Sequence, residues 1–206
     1  RYRPTRPPVA DPELIEQAAQ MLVEAERPLI HPGGGALRSG AWEEVRELAE
    51  YLSAPVTTST GACGVLPEDH PLCLIPGGYG ALGAQAMADV VLLVGGRLGD
   101  TDFWGQPPFW GEPEAQKLIQ IEIEPENVAL NRPVDLALVG DAKATLRALI
   151  DAVKRRTPPI PERPEMAEYR AVQEGWLAQF EAQAASDQKP IHPLRLIRDV
   201  RAFFPL

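Results

Sequence analysis

Glycine runs and charged side chains follow two apolar segments of the sequence. Gly33-Gly34-Gly35 comes directly after residues 28–32, and Gly95-Gly96 comes after residues 90–94 and is followed by Arg97 and Asp100. Glycine lets a backbone turn sharply and approach a ligand closely, and a glycine turn that opens a helix can direct N–H groups at a pyrophosphate. A guanidinium can pair with a phosphate or hydrogen-bond a ring carbonyl. These residue types predict a binding site at the ends of the two segments.

Two acids extend the candidate site. Glu122 closes an apolar segment, where an acid is well placed to bind ribose hydroxyls, and Asp141 is expected to cap a helix and to be able to contact a base. Each feature also has a plainer interpretation: the glycine run is a turn without a ligand, Arg97 forms an ion pair with Asp100 or a nearby acid, and Glu122 is a solvated strand end. The candidate cofactor-binding residues are Gly33, Gly34, Gly35, Arg97, Asp100, Glu122 and Asp141.

The sequence contains a candidate binding site, but no candidate catalytic residue accompanies it. The glycine run does not fit GxGxxG, because Arg38 occupies the third glycine position. The three histidines are scattered, and Cys63 and Cys73 lack metal-ligand spacing, so we expect no catalytic residue and no metal site in this chain. The aromatic residues of segment 103–110 are expected either to stack on a flavin or substrate, or to pack against a neighbouring domain.

The elements that position these residues follow from apolar patterning. Residues 90–94 are five branched apolar residues in a row, which predicts a strand buried on both faces of a parallel sheet. Further strands are predicted at 28–32, 55–59, 72–75, 118–123 and 136–139, and helices are predicted after Asp11, after Ser39, over 81–88 and after Asp141. This alternation predicts a doubly wound, six-stranded, mainly parallel α/β sheet of the Rossmann-like kind.

Proline-rich stretches suggest four regions. We expect an N-terminal linker at 1–10, an α/β central domain at 11–156, a proline-rich linker at 157–165, and a helical extension at 166–206. The extension has aromatic and apolar residues at helical spacing with little beside them to bury against. We therefore expect it to lead into a C-terminal domain that is missing here, and the chain to be a fragment of a longer one.

Composition narrows the class of partner. The 206 residues are 45% apolar, which suffices for a core, and the net charge of −9 argues against a nucleic acid or an anionic membrane as partner. Two cysteines favour a reducing compartment, and no apolar run has the length of a transmembrane helix, so we expect a cytoplasmic protein. A small ligand or another protein is the expected partner.

An ordered set of motifs carries a resemblance to a known family. In order these are Arg27-Pro28-Leu29-Ile30 running into Gly33-Gly34-Gly35, Ser39-Gly40-Ala41, Leu48-Ala49-Glu50 followed by Pro55-Val56, Gly61 to Gly64, Pro67 to Pro71, Ala88-Asp89, Gly96-Arg97, Ile121 to Pro125, Asn131 and Gly140-Asp141. Over about residues 12–154 the chain resembles the central domain of thiamine-diphosphate-dependent enzymes of the acetolactate synthase and pyruvate oxidase type.

The resemblance implies a longer, three-domain enzyme that decarboxylates a 2-keto acid and ligates it to a second one. It implies thiamine diphosphate and Mg²⁺ held by the N- and C-terminal domains, assembly as a homodimer or homotetramer, and a fragment inactive alone. The central domain would be scaffold, with an FAD site formed by six of the candidates above, namely Gly33, Gly34, Arg97, Asp100, Glu122 and Asp141. Glu122 and Glu124 stand where aspartates are usual, and Thr101 stands where FAD-binding synthases tend to have arginine. The crevice is therefore expected to hold FAD, ADP or nothing. An NAD-binding domain of an oxidoreductase is a further alternative for the chain.

Overall fold

Four parallel strands form the sheet in a computed structural model of the chain, which describes residues 6–204. The strands are β1 (Pro28–Pro32), β2 (Val90–Val94), β3 (Lys117–Glu122) and β4 (Leu136–Val139), hydrogen-bonded side by side in that order. Residues 1–5 of the predicted N-terminal linker and residues 205–206 of the predicted extension lie outside the described residues. The parallel α/β class predicted from the sequence is confirmed.

The predicted count of six strands is wrong, because two of the segments pair through single residues. Val56 bridges Ile30 of β1, and Cys73 bridges Val56, both in parallel, so segments 55–59 and 72–75 continue the sheet beyond β1 without becoming strands. Pro55 has no N–H to donate to a ladder, and the segment turns into a 3₁₀ helix at Thr60–Ala62. The second segment is confined between Pro71 and Pro76.

Helices cover both faces of the sheet. Val90, Leu92 and Val94 of β2 join the core that α1 (Pro12–Glu24), α3 (Trp42–Leu52) and α5 (Ala142–Arg156) cover. Val91 and Leu93 point into a second core with residues of α4 (Tyr79–Met87) and α6 (Pro164–Ala178). Because successive residues of a strand face opposite sides, a strand covered on both sides must be apolar throughout, as β2 is.

Carboxylate caps begin two of the helices where the sequence places them. Asp11 accepts a hydrogen bond from the Glu13 N–H at 2.8 Å, and Asp141 accepts one from the Ala144 N–H at 2.9 Å. The predicted cap at Ser39 is wrong. Its hydroxyl donates instead to the Ala36 carbonyl of the short helix α2 (Gly34–Arg38), and α3 begins after Ala41 without a side-chain cap.

The C-terminal helices differ in how much they bury. α6 packs closely on α4, since a Cβ on Gly80 would lie 2.5 Å from the Tyr169 carbonyl oxygen, and the Gln173 side chain accepts the Ile75 N–H at 2.7 Å. α8 (Pro193–Phe203) packs on the short α7 (Glu181–Ala184) and leaves its apolar residues exposed. Across the described part of the chain, no helix is long and apolar enough to cross a membrane. The division into domains stays a prediction.

Candidate functional site

A cleft opens where the sheet changes its order of connection. After β1 the chain passes outward to Val56 and Cys73 on one side, and it then returns to form β2, β3 and β4 on the other side. The turns after β1 and β2 touch, but the chain then continues from them toward opposite edges of the sheet, which opens a crevice at the carboxyl ends of the strands. This is the position in open α/β sheets at which ligands bind.

The cleft has a volume of about 790 Å³ and collects residues from the ends of all four strands. All seven residues selected from the sequence lie along it, namely Gly33, Gly34, Gly35, Arg97, Asp100, Glu122 and Asp141. It also contains residues that were not selected from the sequence as binding candidates: Arg38, Ser39, Ser59, Gly61, Thr101 and Asp102 among others. The structure thus brings the candidates together, while their role in binding remains a prediction.

The turns after β1 and β2 touch backbone to backbone. A Cβ on Gly33 would lie 2.6 Å from the Gly95 carbonyl oxygen, and one on Gly35 would lie 2.7 Å from Gly95 Cα. The Gly33 N–H donates to Val94 O and the Gly35 N–H to Gly95 O, each at 2.8 Å. These two amides are therefore used within the fold and not free for a phosphate. Gly34 is the glycine of the run that leaves room for a ligand.

Arg97 is an exposed side chain on a fixed backbone. Gln120 donates to the Gly96 carbonyl at 3.0 Å, and Asn131 donates to the Arg97 carbonyl at 2.8 Å. Among residues 6–204 the Arg97 guanidinium forms no ion pair, so the alternative of a salt bridge to Asp100 or a nearby acid does not hold. Asp100 instead accepts the Thr101 N–H at 2.9 Å. The Arg97 side chain is anchored at its base and available to a ligand at its tip.

Arg38 is a second cationic residue of the cleft. It ends α2, its side chain is exposed, and its Nη1 would lie 3.1 Å from a Cβ on Gly34, so the guanidinium lies over that glycine. In the sequence Arg38 appeared only as the residue that breaks the GxGxxG pattern. The sequence did contain a signal for its role. Arg38 lies four residues after Gly34, and residues four apart on a helix lie on the same face, so a helix that begins at the glycine run brings Arg38 next to Gly34.

Carboxylates line the opposite part of the cleft. Glu122 is largely buried, and its Oε1 accepts the N–H groups of Ile123 at 2.9 Å and Glu124 at 3.1 Å, which fixes the side chain and leaves Oε2 for another donor. The Asp141 carboxylate is engaged at its helix N-terminus by the Ala144 N–H. Glu122 is therefore a fixed acceptor rather than a solvated strand end.

The aromatic segment after the cleft is partly core and partly surface. Trp110 is buried and donates from its indole to the Asp102 carbonyl at 2.8 Å, while Phe103 and Phe109 stack with ring centroids 3.8 Å apart. Trp104 is 55% exposed. None of residues 103–110 lines the cleft. The Gly105 carbonyl accepts a hydrogen bond from the buried Arg132, and burial lowers the pKa of that guanidinium.

Two histidines and both cysteines lie outside the cleft. His70 accepts the Leu72 N–H through Nδ1 at 3.2 Å and lies 3.1 Å from Glu50, and His192 accepts the Leu194 N–H at the start of α8. Cys63 and Cys73 are both free, and burial raises the pKa of the Cys73 thiol to about 11. Over residues 6–204, no group of three or more His, Cys, Asp or Glu side chains is placed to hold a metal ion.

The fold and this cleft define a class: a parallel α/β domain with a ligand crevice at its switch point. Residues 15–149 match the family described as "Thiamine pyrophosphate enzyme, central domain". The match spans all four strands of the sheet and all seven candidate residues. The chain belongs to the thiamine pyrophosphate enzyme central-domain family.

Relatives of known sequence and structure agree with this assignment. The chain is 36% identical over 212 residues to an acetolactate synthase large subunit assigned in Methanocaldococcus jannaschii, covering 97% of this chain and 33% of that protein. It is 41% identical over 145 residues to a 2-ketoarginine decarboxylase assigned in Pseudomonas aeruginosa, covering 67% of this chain and 24% of that protein.

A solved structure shares the fold. The X-ray structure of a protein assigned as a thiamin diphosphate-dependent enzyme from Mycobacterium smegmatis is 30% identical, with a TM-score of 0.61 over 78% of this chain and 32% of that chain. The chain therefore spans between about a quarter and a third of the length of these three proteins. The predicted relation to acetolactate synthases is confirmed.

Proposed function

We propose that this chain serves as the central domain of a longer thiamine-diphosphate-dependent enzyme that decarboxylates a 2-keto acid and ligates the product to a second one. The family and the acetolactate synthase relatives support this proposal, as does the share of their length that the chain spans. Thiamine diphosphate supplies carbanion stabilisation in such enzymes. We infer that this cofactor and Mg²⁺ are held by the N- and C-terminal domains of the longer enzyme, as the resemblance to the family implies.

For the domain itself, we propose that the cleft binds an adenosine diphosphate group, present either within FAD or as free ADP. The observation that carries this proposal is the arrangement of the cleft at the switch point, with two guanidinium groups beside the glycine turns and a fixed carboxylate at the end of β3. A nucleoside diphosphate combines an anionic end with a ribose that offers hydroxyl donors. Both ends find complementary groups here.

Each residue would have a definite part in binding. Arg97 and Arg38 would pair with phosphate oxygens. Their guanidinium groups would take the place of the Gly33 and Gly35 N–H groups, which already donate to backbone carbonyls of the fold. Gly34 would allow the ligand to approach the turn closely. Glu122 would accept a hydrogen bond from a ribose hydroxyl through Oε2, since its Oε1 is already occupied.

A related decarboxylase is the second candidate for the whole enzyme. The relative assigned as a 2-ketoarginine decarboxylase is 41% identical over its matched region, a higher value than the acetolactate synthase named above, though over fewer residues. In that case the longer enzyme would release the decarboxylated product without ligating it to a second keto acid, and free ADP becomes the expected ligand of the cleft. A third candidate is a domain that only joins and holds its neighbours, with nothing in the cleft.

A thermal melt of the chain with FAD, ADP or NAD, together with its visible absorption spectrum, tests the proposal. A ligand present at about 100 times its dissociation constant stabilises the folded state by about 2.7 kcal/mol. For a domain of this size the expected rise in Tm is about 5–10 °C. A rise with FAD, or a yellow protein, supports the synthase, and a rise with ADP but not FAD supports the decarboxylase. No rise with any of the three contradicts nucleotide binding.

A further inference from the structure

A buried histidine lies in the middle of β1, outside the lining of the cleft. His31 is fully buried, and its neighbours in the strand are apolar on both sides of the sheet. An imidazole carries two nitrogens that need hydrogen-bond partners, so burying it in a strand is costly unless both are satisfied. A valine or leucine at this position would pack without that cost. The contacts of His31 therefore need an explanation.

The two ring nitrogens of His31 face different partners. Nδ1 lies 2.8 Å from the Thr57 hydroxyl, and Nε2 lies 3.4 Å from Oδ1 of Asp102. The Asp102 carboxylate, when ionised, can only accept a hydrogen bond, so the proton of a neutral ring belongs on Nε2, and the Thr57 hydroxyl then donates to Nδ1. Within residues 6–204 the alignment at Nε2 falls short of a hydrogen bond, which leaves this nitrogen aimed at Asp102 without a completed contact.

Asp102 belongs to a backbone segment that is costly to form. We call residues 98–105 the cleft loop, because several of its residues line the cleft. Leu98, Phe103 and Trp104 all have positive φ, at 51°, 52° and 50°. Large side chains rarely adopt this left-handed conformation, and they keep it only where surrounding contacts hold the segment in place. The cleft loop therefore depends on attachments to the rest of the fold.

Side chains from outside the cleft loop contact it at Asp102 and at Gly105. The Asp102 carbonyl accepts the Trp110 indole N–H at 2.8 Å, and the Asp102 carboxylate faces His31. The His31 and Trp110 rings pack edge to face, with centroids 5.1 Å apart, so the side chains that face Asp102 from two directions also contact each other. At the far end of the loop, Arg132 donates to the Gly105 carbonyl at 2.6 Å.

We propose that His31 is a positioning residue for the cleft, acting through Asp102 to hold the cleft loop in its strained conformation. The loop carries Asp100 and Thr101 along one side of the cleft and follows directly on Arg97. Losing the contact between His31 and Asp102 releases the loop toward ordinary backbone conformations and displaces those residues. The consequence for ligand affinity rests on the nucleotide binding proposed above, whereas the consequence for the loop itself does not.

Hydrogen–deuterium exchange of peptides that span the cleft loop tests the proposal without any ligand. Asp102→Ala is expected to raise exchange at residues 98–105 about tenfold and to leave exchange in α1, α3 and α5 unchanged. Asp151→Ala on the exposed face of α5 removes the same charge elsewhere and serves as the matched control. Wild-type exchange in the loop of Asp102→Ala overturns the proposal.

A pair of substitutions at His31 separates the hydrogen-bonding role from simple packing. His31→Gln keeps an N–H that can reach Asp102, whereas His31→Phe keeps a ring against Trp110 and loses both nitrogens. The proposal predicts that loop protection is kept better by glutamine than by phenylalanine. The reverse order shows that ring packing alone is needed and overturns the positioning role. If neither variant folds, Asp102→Ala still decides the question.

Calorimetric titration with ADP connects the loop to binding. We expect Asp102→Ala to weaken ADP binding about tenfold relative to wild type and to Asp151→Ala. If the wild-type chain binds neither ADP nor FAD, the proposed ligand is wrong, but the exchange experiment still tests the role of His31. Unchanged ADP affinity alongside a released loop removes the link between the loop and the cleft.

Discussion

Replacing Gly33 with alanine perturbs the contact between the turns that follow β1 and β2. The new Cβ would lie 2.6 Å from both the Gly95 carbonyl oxygen and Gly96 Cα, which are backbone atoms and cannot rotate away. Gly33 itself has φ −110° and ψ −177°, an extended conformation that alanine adopts readily. The substitution therefore acts through the clash alone and measures how closely the two turns approach.

The expected cost follows from this geometry. Ordinary van der Waals contacts begin near 3.4 Å, so the two turns must separate by roughly 0.8 Å. That shift strains the bonds from the Gly33 and Gly35 amides to Val94 and Gly95. Overpacking costs about 1–3 kcal/mol and a weakened hydrogen bond about 1 kcal/mol, so we expect a loss of about 3 kcal/mol in unfolding free energy. The Tm should fall by about 6–12 °C.

Calorimetric or circular-dichroism melts of three variants make the comparison. A Cβ on Gly99 meets nothing within 4 Å. One on Gly34 meets the movable tip of Arg38 at 3.1 Å and the Gly61 carbonyl oxygen at 3.5 Å, which is an ordinary van der Waals distance, so Gly99→Ala and Gly34→Ala should melt close to wild type. Gly34→Ala should nevertheless weaken ADP binding, because it narrows the approach to the turn. A Gly33→Ala protein that melts within about 2 °C of wild type refutes the reasoning, as does an equal loss in Gly99→Ala.

Three further predictions concern two substitutions and the reactivity of the two cysteines. Arg97→Ala should weaken ADP binding by about 1–3 kcal/mol at unchanged Tm, with Arg46→Ala on α3 as the control, and identical calorimetric titrations would remove Arg97 from the site. Arg163→Ala should lower stability to urea by about 1–3 kcal/mol, since its guanidinium donates to carbonyls at the C-terminal ends of α1 and α3; an unchanged midpoint would contradict this. The raised pKa of Cys73 keeps it a thiol at pH 8, so Ellman's reagent should modify the exposed Cys63 first, and two equally fast thiols would contradict the burial of Cys73.

Local patterns sufficed for much of the fold because they reflect burial directly. The unbroken apolar run 90–94 could only be a strand covered on both faces, and the carboxylates of Asp11 and Asp141 begin helices by bonding N–H groups a few residues away. Segments 55–59 and 72–75 have the composition of strands. Whether such a segment extends its ladder depends on prolines and turns at its ends, and here it pairs through a single residue.

The position of the cleft could be predicted from the sequence. The physical reason why residues 33 and 35 must be glycine could not. Gly33 and Gly35 are needed because a distant turn, at Gly95, presses against them, and this contact spans about sixty residues of chain. Asp102 was missed because it lies in a loop whose left-handed residues have no sequence signature. His31 was only one of three scattered histidines in the sequence, and its proposed role rests on its burial in β1 and its distance to Asp102 in the structure.

Titration of the isotopically labelled chain with ADP, followed residue by residue by two-dimensional NMR, tests the central claim most directly. We predict that saturating ADP shifts the amides of Gly34, Arg38, residues 97–102 and Ile123, while amides of α6 and α8 stay in place. Shifts confined to the C-terminal helices would contradict the account. So would unchanged spectra with both ADP and FAD.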